Sequence, residues 1–242
     1  MKQLSQIESR QESGFTLVEL AVVMVIIGLL IGGILKGQEL IANAQVTATI
    51  AQLKGFDAAI TTFKDKYGQL PGDMRNGGTR LDSCVGNCAT NGNGNGRIGG
   101  NNAVLTAHAN TTENWRAFTH LAAAGLIQGV IINGPTVFGE GVPSSKAGGG
   151  FRIGYDINGG IGNGMGTFRP GHFLVITNED TGAIAAGNGV LPGSQAAQMD
   201  RKLDDSRATQ GSVRAFGTNC NDGIAYREVD DGLCNLVVQI QG

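Results

Sequence analysis

Charged side chains are scarce in this sequence, and neither sign predominates. Asp, Glu, Lys and Arg together make up 16% of the 242 residues, and the formal net charge is -2. A surface that binds nucleic acid needs clustered Lys and Arg to hold the phosphates. The composition therefore predicts no nucleic-acid partner.

Residues arranged for catalysis are also lacking. The three histidines, His108, His120 and His172, are not spaced as the ligands of a metal site usually are. No Ser or Cys lies in a nucleophile elbow. The acidic pairs at 204–205 and 230–231 each neighbour a turn or a helix end, where solvated Asp is common. Aromatic residues make up 5% of the chain against 40 glycines, which favours turns and loops over a dense enzyme core. We therefore expect no enzymatic activity, no cofactor and no bound metal.

One long hydrophobic run stands out against this background. Residues 15–35 form an apolar segment in which Glu19 is the only charge, and no Lys, Arg or His lies within it. As a helix this segment spans roughly 30 Å, which is the thickness of the hydrocarbon core of a bilayer. The segment can therefore cross a membrane. A carboxylate inside such a segment is costly and is expected to have both a partner and a function.

The partner for Glu19 can come from a new chain terminus. Cleavage between Gly14 and Phe15 would create an amino group whose pKa of about 8 keeps it largely protonated at neutral pH. On the same chain this ammonium would lie about one helical turn from Glu19. On a neighbouring subunit shifted along the helix axis it would meet Glu19 directly. The two charges then cancel only in an assembly.

The segment Gly-Phe-Thr-Leu-Val-Glu-Leu that begins at Gly14, followed by an apolar helix, resembles the prepilin processing signal of type IV pilins and of the related pseudopilins of type II secretion. The resemblance implies that a prepilin peptidase cuts between Gly14 and Phe15 and that Phe15 is then N-methylated. It also implies that Glu19 sets the register of the subunits in a filament.

Two features depart from the family pattern. The leader is neutral where family leaders are usually basic, and Lys36 and Gly37 stand where many type IV pilins have a proline. The alternatives are a secretory signal peptide, which carries its cleavage site after the apolar region, and a plain membrane anchor. Neither explains why Gly14 precedes the helix and Glu19 lies one turn into it.

Beyond the apolar run, the helical pattern continues as one amphipathic stripe. Apolar residues recur at helical spacing, namely Val46, Ile50, Leu53, Phe56, Ile60, Phe63 and Tyr67. The pattern predicts a helix over residues 15–67, ended by Gly68 and Pro71. The predicted organisation is a leader at 1–14, a transmembrane and filament-core helix at 15–35, an amphipathic continuation at 36–70 and a globular head at 71–242.

The head is predicted to be of the α+β class. A helix capped by Asn110 is expected at 111–127, and a short one at 195–203. Apolar residues that alternate with Arg152 and Asp156 predict a half-buried strand at 151–157. Further strands are predicted at 173–176, 213–216, 224–229 and 236–240. Turn-linked strands without βα alternation favour an antiparallel sheet packed on the long N-terminal helix, together with the extra short helices.

The chain contains four cysteines, which in an exported protein are more often paired than bound to metal. They permit three connectivities, of which we favour Cys84 with Cys88 and Cys220 with Cys234, because both pairs are local. The second pair would close a C-terminal loop, similar to a disulfide of many type IV pilins. Zinc is the alternative, but the spacings match poorly the two-residue separation of zinc knuckles.

An Asn- and Gly-rich segment at 91–98 has the rhythm of a calcium loop, with glycine at the sixth position. It contains no carboxylate, and its twelfth position is Asn102, so an ordinary Asn/Gly turn is favoured. Calcium binding would need charge from an aspartate that folds nearby, the candidates being Asp73, Asp222, Asp230 and Asp231. The GxGxxG spacing at 94–99 follows no strand and opens no helix, so dinucleotide binding is not expected.

Together these features predict a pilin-like protein whose function is assembly. The favoured form is a structural subunit of a type IV pilus, and the alternatives are a type II secretion pseudopilin or a minor pilin acting as a tip adhesin or binding module. The expected partners are other copies in a helical filament, the prepilin peptidase, and the pilus or secretion assembly machinery. The expected location is the bacterial inner membrane, crossed once, before assembly and an extracellular filament afterwards.

Overall fold

A computed structural model of the chain describes residue 14 and residues 16–100, 105–157, 168–228 and 232–240. The elements in chain order are α1 (Leu17–Tyr67), α2 (Gly77–Arg80), α3 (Glu113–Ala123), β1 (Gly150–Asp156), β2 (Gly171–Thr177), a 3-10 turn (Ala186–Asn188), β3 (Leu191–Pro192), α4 (Gly193–Leu203), β4 (Val213–Thr218) and β5 (Leu233–Ile240). Leader residues 1–13, Phe15, Asn102, Asp230 and Asp231 lie outside the described residues. The chain divides into two compact units, Met1–Ile41 and Ala42–Gly242.

The first unit contains the N-terminal part of α1. The helix begins at Leu17 because Thr16 and Glu19 form a capping box, in which each side chain accepts the backbone N–H of the other residue. Large apolar side chains follow on all sides of the helix, and their exposed fractions run from 45% at Ile27 to 87% at Leu17. By length and composition α1 is able to cross a membrane.

The remainder of α1, from residue 42 onward, supplies one wall of the core in the second unit. The predicted stripe is buried at Val46, Ile50, Leu53, Phe56, Ile60 and Phe63. The ring of Phe56 lies 4.9 Å from that of Phe151 in β1 and 5.7 Å from that of Phe118 in α3, centroid to centroid. The helix ends where Gly68 adopts a φ of 70° and its N–H donates to the Lys64 carbonyl.

The second unit contains one antiparallel sheet of five strands, which confirms the predicted α+β class. Its order is β1-β2-β5-β3, and β4 also pairs with β5. Leu236 in the middle of β5 lies opposite Ile176 of β2 and Ala215 of β4. The strands predicted at 151–157, 173–176, 213–216 and 236–240 correspond to β1, β2, β4 and β5.

Both faces of this sheet are buried. Leu174 and Leu236 belong to the large core cluster that includes the stripe of α1. Val175 and Val237, which alternate with them, form a second cluster with Phe168 and other residues outside the sheet. Strand β1, which was predicted at 151–157 to be half-buried, is likewise buried on both faces.

The alternation predicted for β1 is wrong at Arg152 and Asp156, because both side chains are buried. The Arg152 guanidinium donates to the carbonyls of Thr106, Glu179 and Gly182, and its bond to Gly182 is 2.6 Å long. Burial lowers the pKa of Arg152 to about 10. Its carbonyl partners all lie in loops that cover the face of the sheet away from α1.

Residues 224–228, predicted to lie in a strand, form none. Their single bridge joins Tyr226 to Asn221 within the loop closed by the second cysteine pair. The Tyr226 hydroxyl donates to Asp200 in α4 at 2.8 Å, and the Arg227 N–H donates to the Cys220 carbonyl. The segment is therefore held by a side-chain hydrogen bond and by turn contacts, and not by the backbone hydrogen bonds of a β-sheet.

The predicted bounds of α3 are wrong at both ends. The N-cap residue is Thr112 and not Asn110, and its side chain makes no capping hydrogen bond. The helix ends at Ala123, short of residue 127, because Gly125 adopts a φ of 73° and turns the chain. Leu126 and the residue after it still pack against the core, from beyond the helix.

Candidate functional site

The predicted processing site lies immediately before α1. Gly14 is exposed, and a Cβ added to it would meet nothing within 4 Å. Phe15, on the other side of the predicted scissile bond, lies outside the described residues. The backbone on the amino side of this bond is therefore accessible to a peptidase.

Glu19 is held by a neutral residue of its own chain. The backbone N–H and the hydroxyl of Thr16 both donate to Glu19 Oε2, at 2.8 and 2.9 Å, and the Glu19 N–H donates to Thr16 Oγ1 at 3.2 Å. No Lys, Arg or His occurs among residues 16–35. The carboxylate is thus oriented by hydrogen bonds, but no positively charged side chain within this segment neutralises its charge.

The helix surface that continues from Glu19 to Leu35 is apolar and exposed. A Cβ added to Gly28, Gly32 or Gly33 would meet nothing within 4 Å, so the helix backbone is open at these positions. Small residues on an apolar helix allow another helix to approach closely. The first charges beyond the apolar run are Lys36 and Glu39, which form an exposed ion pair at 2.7 Å.

The cysteines form two buried disulfides, Cys84–Cys88 and Cys220–Cys234. His120 lies close enough to the first pair for the three side chains to resemble a metal-binding set. Zinc binds cysteine as the thiolate, and sulfur atoms bonded to each other do not supply it. The structure therefore favours the disulfide over the zinc alternative.

His120 instead joins three segments of the head. Its Nδ1 accepts the Gly72 N–H at 3.0 Å, so Nε2 carries the ring proton and donates to the Cys88 carbonyl at 2.9 Å. Burial lowers the pKa of His120 to about 4. The neutral ring thereby connects the turn after α1, the 84–88 loop and α3. Sequence reasoning missed this role, because a lone histidine shows no pattern.

The Asn- and Gly-rich segment forms turns, as the sequence favoured. The side-chain oxygens of Asn93 and Asn95 accept the backbone N–H groups two residues further on, at 3.0 and 2.9 Å. These oxygens are therefore already engaged within the loop. Asp222, one of the possible sources of charge, lies instead in the 220–234 loop, where its N–H donates to the Ala225 carbonyl.

Two buried carboxylates, Asp73 and Glu113, hold this loop. Each accepts two backbone N–H groups at 2.8 to 3.0 Å, the four donors being Asn93, Asn95, Gly96 and Gly99. Burial is the main cause that raises the pKa of Glu113, and the two backbone hydrogen bonds oppose it. The loop thus presents amide protons to carboxylates, whereas a cation site presents oxygens to a metal.

Comparison with protein-family models matches residues 9–35 to the prokaryotic N-terminal methylation motif. Neither the curated proteins nor the solved structures gave a significant match. The matched residues include Gly14, Phe15, Glu19 and the exposed apolar part of α1. The motif implies processing by a peptidase, a membrane-anchored N-terminal helix and a structural role in assembly. This chain therefore carries, at residues 9–35, the signature of type IV pilins and pseudopilins.

Proposed function

We propose that this chain is a structural subunit of a type IV pilus, cut between Gly14 and Phe15 and polymerised through residues 15–35. The observation that carries the proposal is the environment of Glu19. Among the described residues its carboxylate is bonded only by Thr16, on a helix surface that is otherwise apolar. A carboxylate in such a surface calls for a positive charge from outside the segment.

Cleavage supplies that charge. The new amino group at Phe15 is positively charged at neutral pH, and methylation of an amine keeps its charge. In a filament, the ammonium of one subunit pairs with Glu19 of a neighbour that is shifted along the axis. The capping bonds from Thr16 hold the carboxylate in place for this contact.

The exposed helix surface supports polymerisation. An apolar surface of this size is not stable in water, so it is covered by lipid before assembly and by copies of the same helix afterwards. Gly28, Gly32 and Gly33 permit close approach of those copies. Residues 1–14 serve as the leader and 15–35 as the membrane and filament-core segment.

The second unit supports an extracellular location for the head. Two buried disulfides are typical of proteins that fold in an oxidising compartment. The amphipathic segment proposed at 36–70 includes the part of α1 from residue 42 to Tyr67, whose buried stripe packs in the core of the second unit. The size of this head and its C-terminal disulfide favour a pilus subunit over a compact secretion pseudopilin.

Electron microscopy of filaments sheared from the cell surface, with mass spectrometry of their components, tests the proposal. We expect long filaments whose main component is this chain, beginning at N-methylated Phe15. A strain that lacks the chain is the control and should yield no such filaments. Short periplasmic filaments would indicate a secretion pseudopilin, and trace amounts in filaments built of another protein would indicate a minor subunit. Either result would contradict the proposal.

A further inference from the structure

A side-chain hydrogen bond joins helix α4 to the loop at 220–234, which the second disulfide closes. The Tyr226 hydroxyl donates to Asp200 Oδ2 at 2.8 Å, and Asp200 Oδ1 accepts the Ser206 N–H at 3.2 Å. The loop itself reaches the surface, where Ile224 is 54% exposed. Asp200 therefore connects a buried position on the helix to an exposed part of the head.

Asp200 is buried beside other carboxylates. The residue is 0% exposed, and one side-chain oxygen from each of Asp200, Asp204 and Asp205 lies within 4.8 Å of the other two. Burial and neighbouring negative charge both disfavour the ionised form of a carboxyl group. Burial raises the pKa of Asp200 from 3.8 to about 6, against the hydrogen bonds from Tyr226 and Ser206, and the two neighbouring aspartates add to the rise.

Positive charges near this end of α4 have other partners. The charged side chains on the surrounding elements are Lys54 and Asp57 in α1, Arg201 and Lys202 in α4, Asp204, Asp205 and Arg207 after it, Arg214 in β4, and Asp222, Arg227 and Glu228 in the 220–234 loop. Arg201 pairs with Glu228 at 3.9 Å, and the Arg207 guanidinium donates to Gln210. Arg214 is attracted to Asp204 and Asp205. None of these cations neutralises Asp200 directly.

A proton on Asp200 removes its unfavourable charge and leaves the contact with the loop in place. A protonated carboxyl group keeps an acceptor oxygen, so the bond from Tyr226 persists. Burial and the charge of Asp200 raise the pKa of the Tyr226 hydroxyl, so this group remains a donor at neutral pH. When the loop opens, Asp200 meets water, and its carboxyl group returns to its ordinary acidity. Acid therefore favours the closed arrangement of the loop.

We propose that Asp200 and Tyr226 form an acid-strengthened latch, which holds the 220–234 loop more tightly against α4 as the pH falls below neutral. The acidity of the surroundings then sets how often this exposed part of the head opens. The inference does not depend on whether the chain forms a pilus, because it concerns only the second unit.

Hydrogen exchange of the full chain in detergent micelles, with mass spectrometry of peptides from the 220–234 loop, tests the proposal. The Arg227 N–H donates to the Cys220 carbonyl at 2.8 Å, so it exchanges when the loop opens. After correction for the intrinsic pH dependence of exchange, we expect the protection of the loop to be about tenfold greater at pH 5 than at pH 7. This value follows from the two pKa values of Asp200 in the closed and the open loop. Equal protection at the two pH values would overturn the proposal.

Two variants assign the effect to the latch. Asp200→Asn keeps an acceptor oxygen but takes up no proton in this range, so the loop should be equally protected at both pH values. Tyr226→Phe leaves the carboxyl group intact but unties it from the loop, so it should remove most of the pH effect and decides the question if Asp200→Asn does not fold. The matched control is Asp222→Asn, an exposed carboxylate of the same loop, which should keep the full effect. A pH effect that persists undiminished in either latch variant, or that disappears in the control, would contradict the assignment.

Discussion

Replacing His120 with glutamine should remove the loss of stability that this residue causes in the head as the pH falls from 6.5 to 4. The imidazole is fully buried and neutral, with a hydrogen bond at each ring nitrogen. Burial lowers its pKa from 6.5 to about 4. Protonation of the folded state would force a charge into the core and break the bond from Gly72, whose N–H needs an acceptor.

The sign and size of the effect follow from the two pKa values of His120. The unfolded chain takes up a proton near pH 6.5, whereas the folded chain does so only near pH 4. Between these values the unfolded state binds more protons, so the free energy of unfolding falls as the pH falls. At about 1.4 kcal/mol per pH unit, the loss over this window is about 3 kcal/mol.

Asp200 titrates in the same window with the opposite sign. Burial raises the pKa of its carboxyl from 3.8 to about 6, so the folded state binds the extra proton and gains stability as the pH falls from 6 to 3.8. The pH profile of the wild type alone therefore mixes the two groups. The difference between wild type and His120→Gln isolates the histidine, because Asp200 is present in both proteins.

Urea unfolding of the full chain in detergent, followed by the fluorescence of the single tryptophan, Trp115, provides the measurement. This residue is 1% exposed, so its emission reports loss of the core. At pH 7 the variant should be less stable by about 1 to 3 kcal/mol, because buried hydrogen bonds are lost. At pH 4.5 the difference in the free energy of unfolding between wild type and variant should be smaller by about 2 to 3 kcal/mol. A difference that stays constant between the two pH values would refute the reasoning.

Three further predictions concern processing, assembly and the disulfides. Gly14→Glu places a bulky charge at the scissile bond and should leave the leader attached, whereas terminal sequencing of the wild type should begin at methylated Phe15; an intact leader in assembled filaments would contradict this. Glu19→Ala removes the charge from the apolar segment, so immunoblots should show normal membrane levels while microscopy shows few or no filaments; a normal filament yield would refute the pairing. Losing the Cys220–Cys234 bond, with 14 residues of separation, should cost about 3 kcal/mol in chemical unfolding against about 2 kcal/mol for the other bond, with 4; the reverse order would contradict the loop-entropy argument.

The elements that could be predicted from the sequence are those fixed by short-range patterns. Helix α1 begins at Leu17, two residues from the predicted start, because its capping box and its apolar periodicity both lie within the segment itself. The alternation in β1 likewise predicted the strand, although it did not predict which side chains would be exposed.

Arg152 shows why exposure could not be predicted. An arginine that alternates with core residues normally faces water, but here its carbonyl partners come from positions 106, 179 and 182. These positions lie tens of residues away in sequence and meet only after the sheet has formed. No local pattern marks them, because any backbone carbonyl can accept from a guanidinium. The second hydrophobic cluster on that face of the sheet was missed for the same reason.

Glu19 and Glu113 show how far a capping pattern can be trusted. Each glutamate lies three residues after a residue that favours caps, yet only the pair with Thr16 forms the box. Glu113 is buried beside a loop that offers two amide donors, and it binds those. A glutamate in the first turn is stabilised by the helix dipole wherever its oxygens bond, so the pattern does not determine its partner. In the part of the chain that the structure describes, Glu19 has no such loop beside it, and its carboxylate is exposed, as the proposed pairing with another subunit requires.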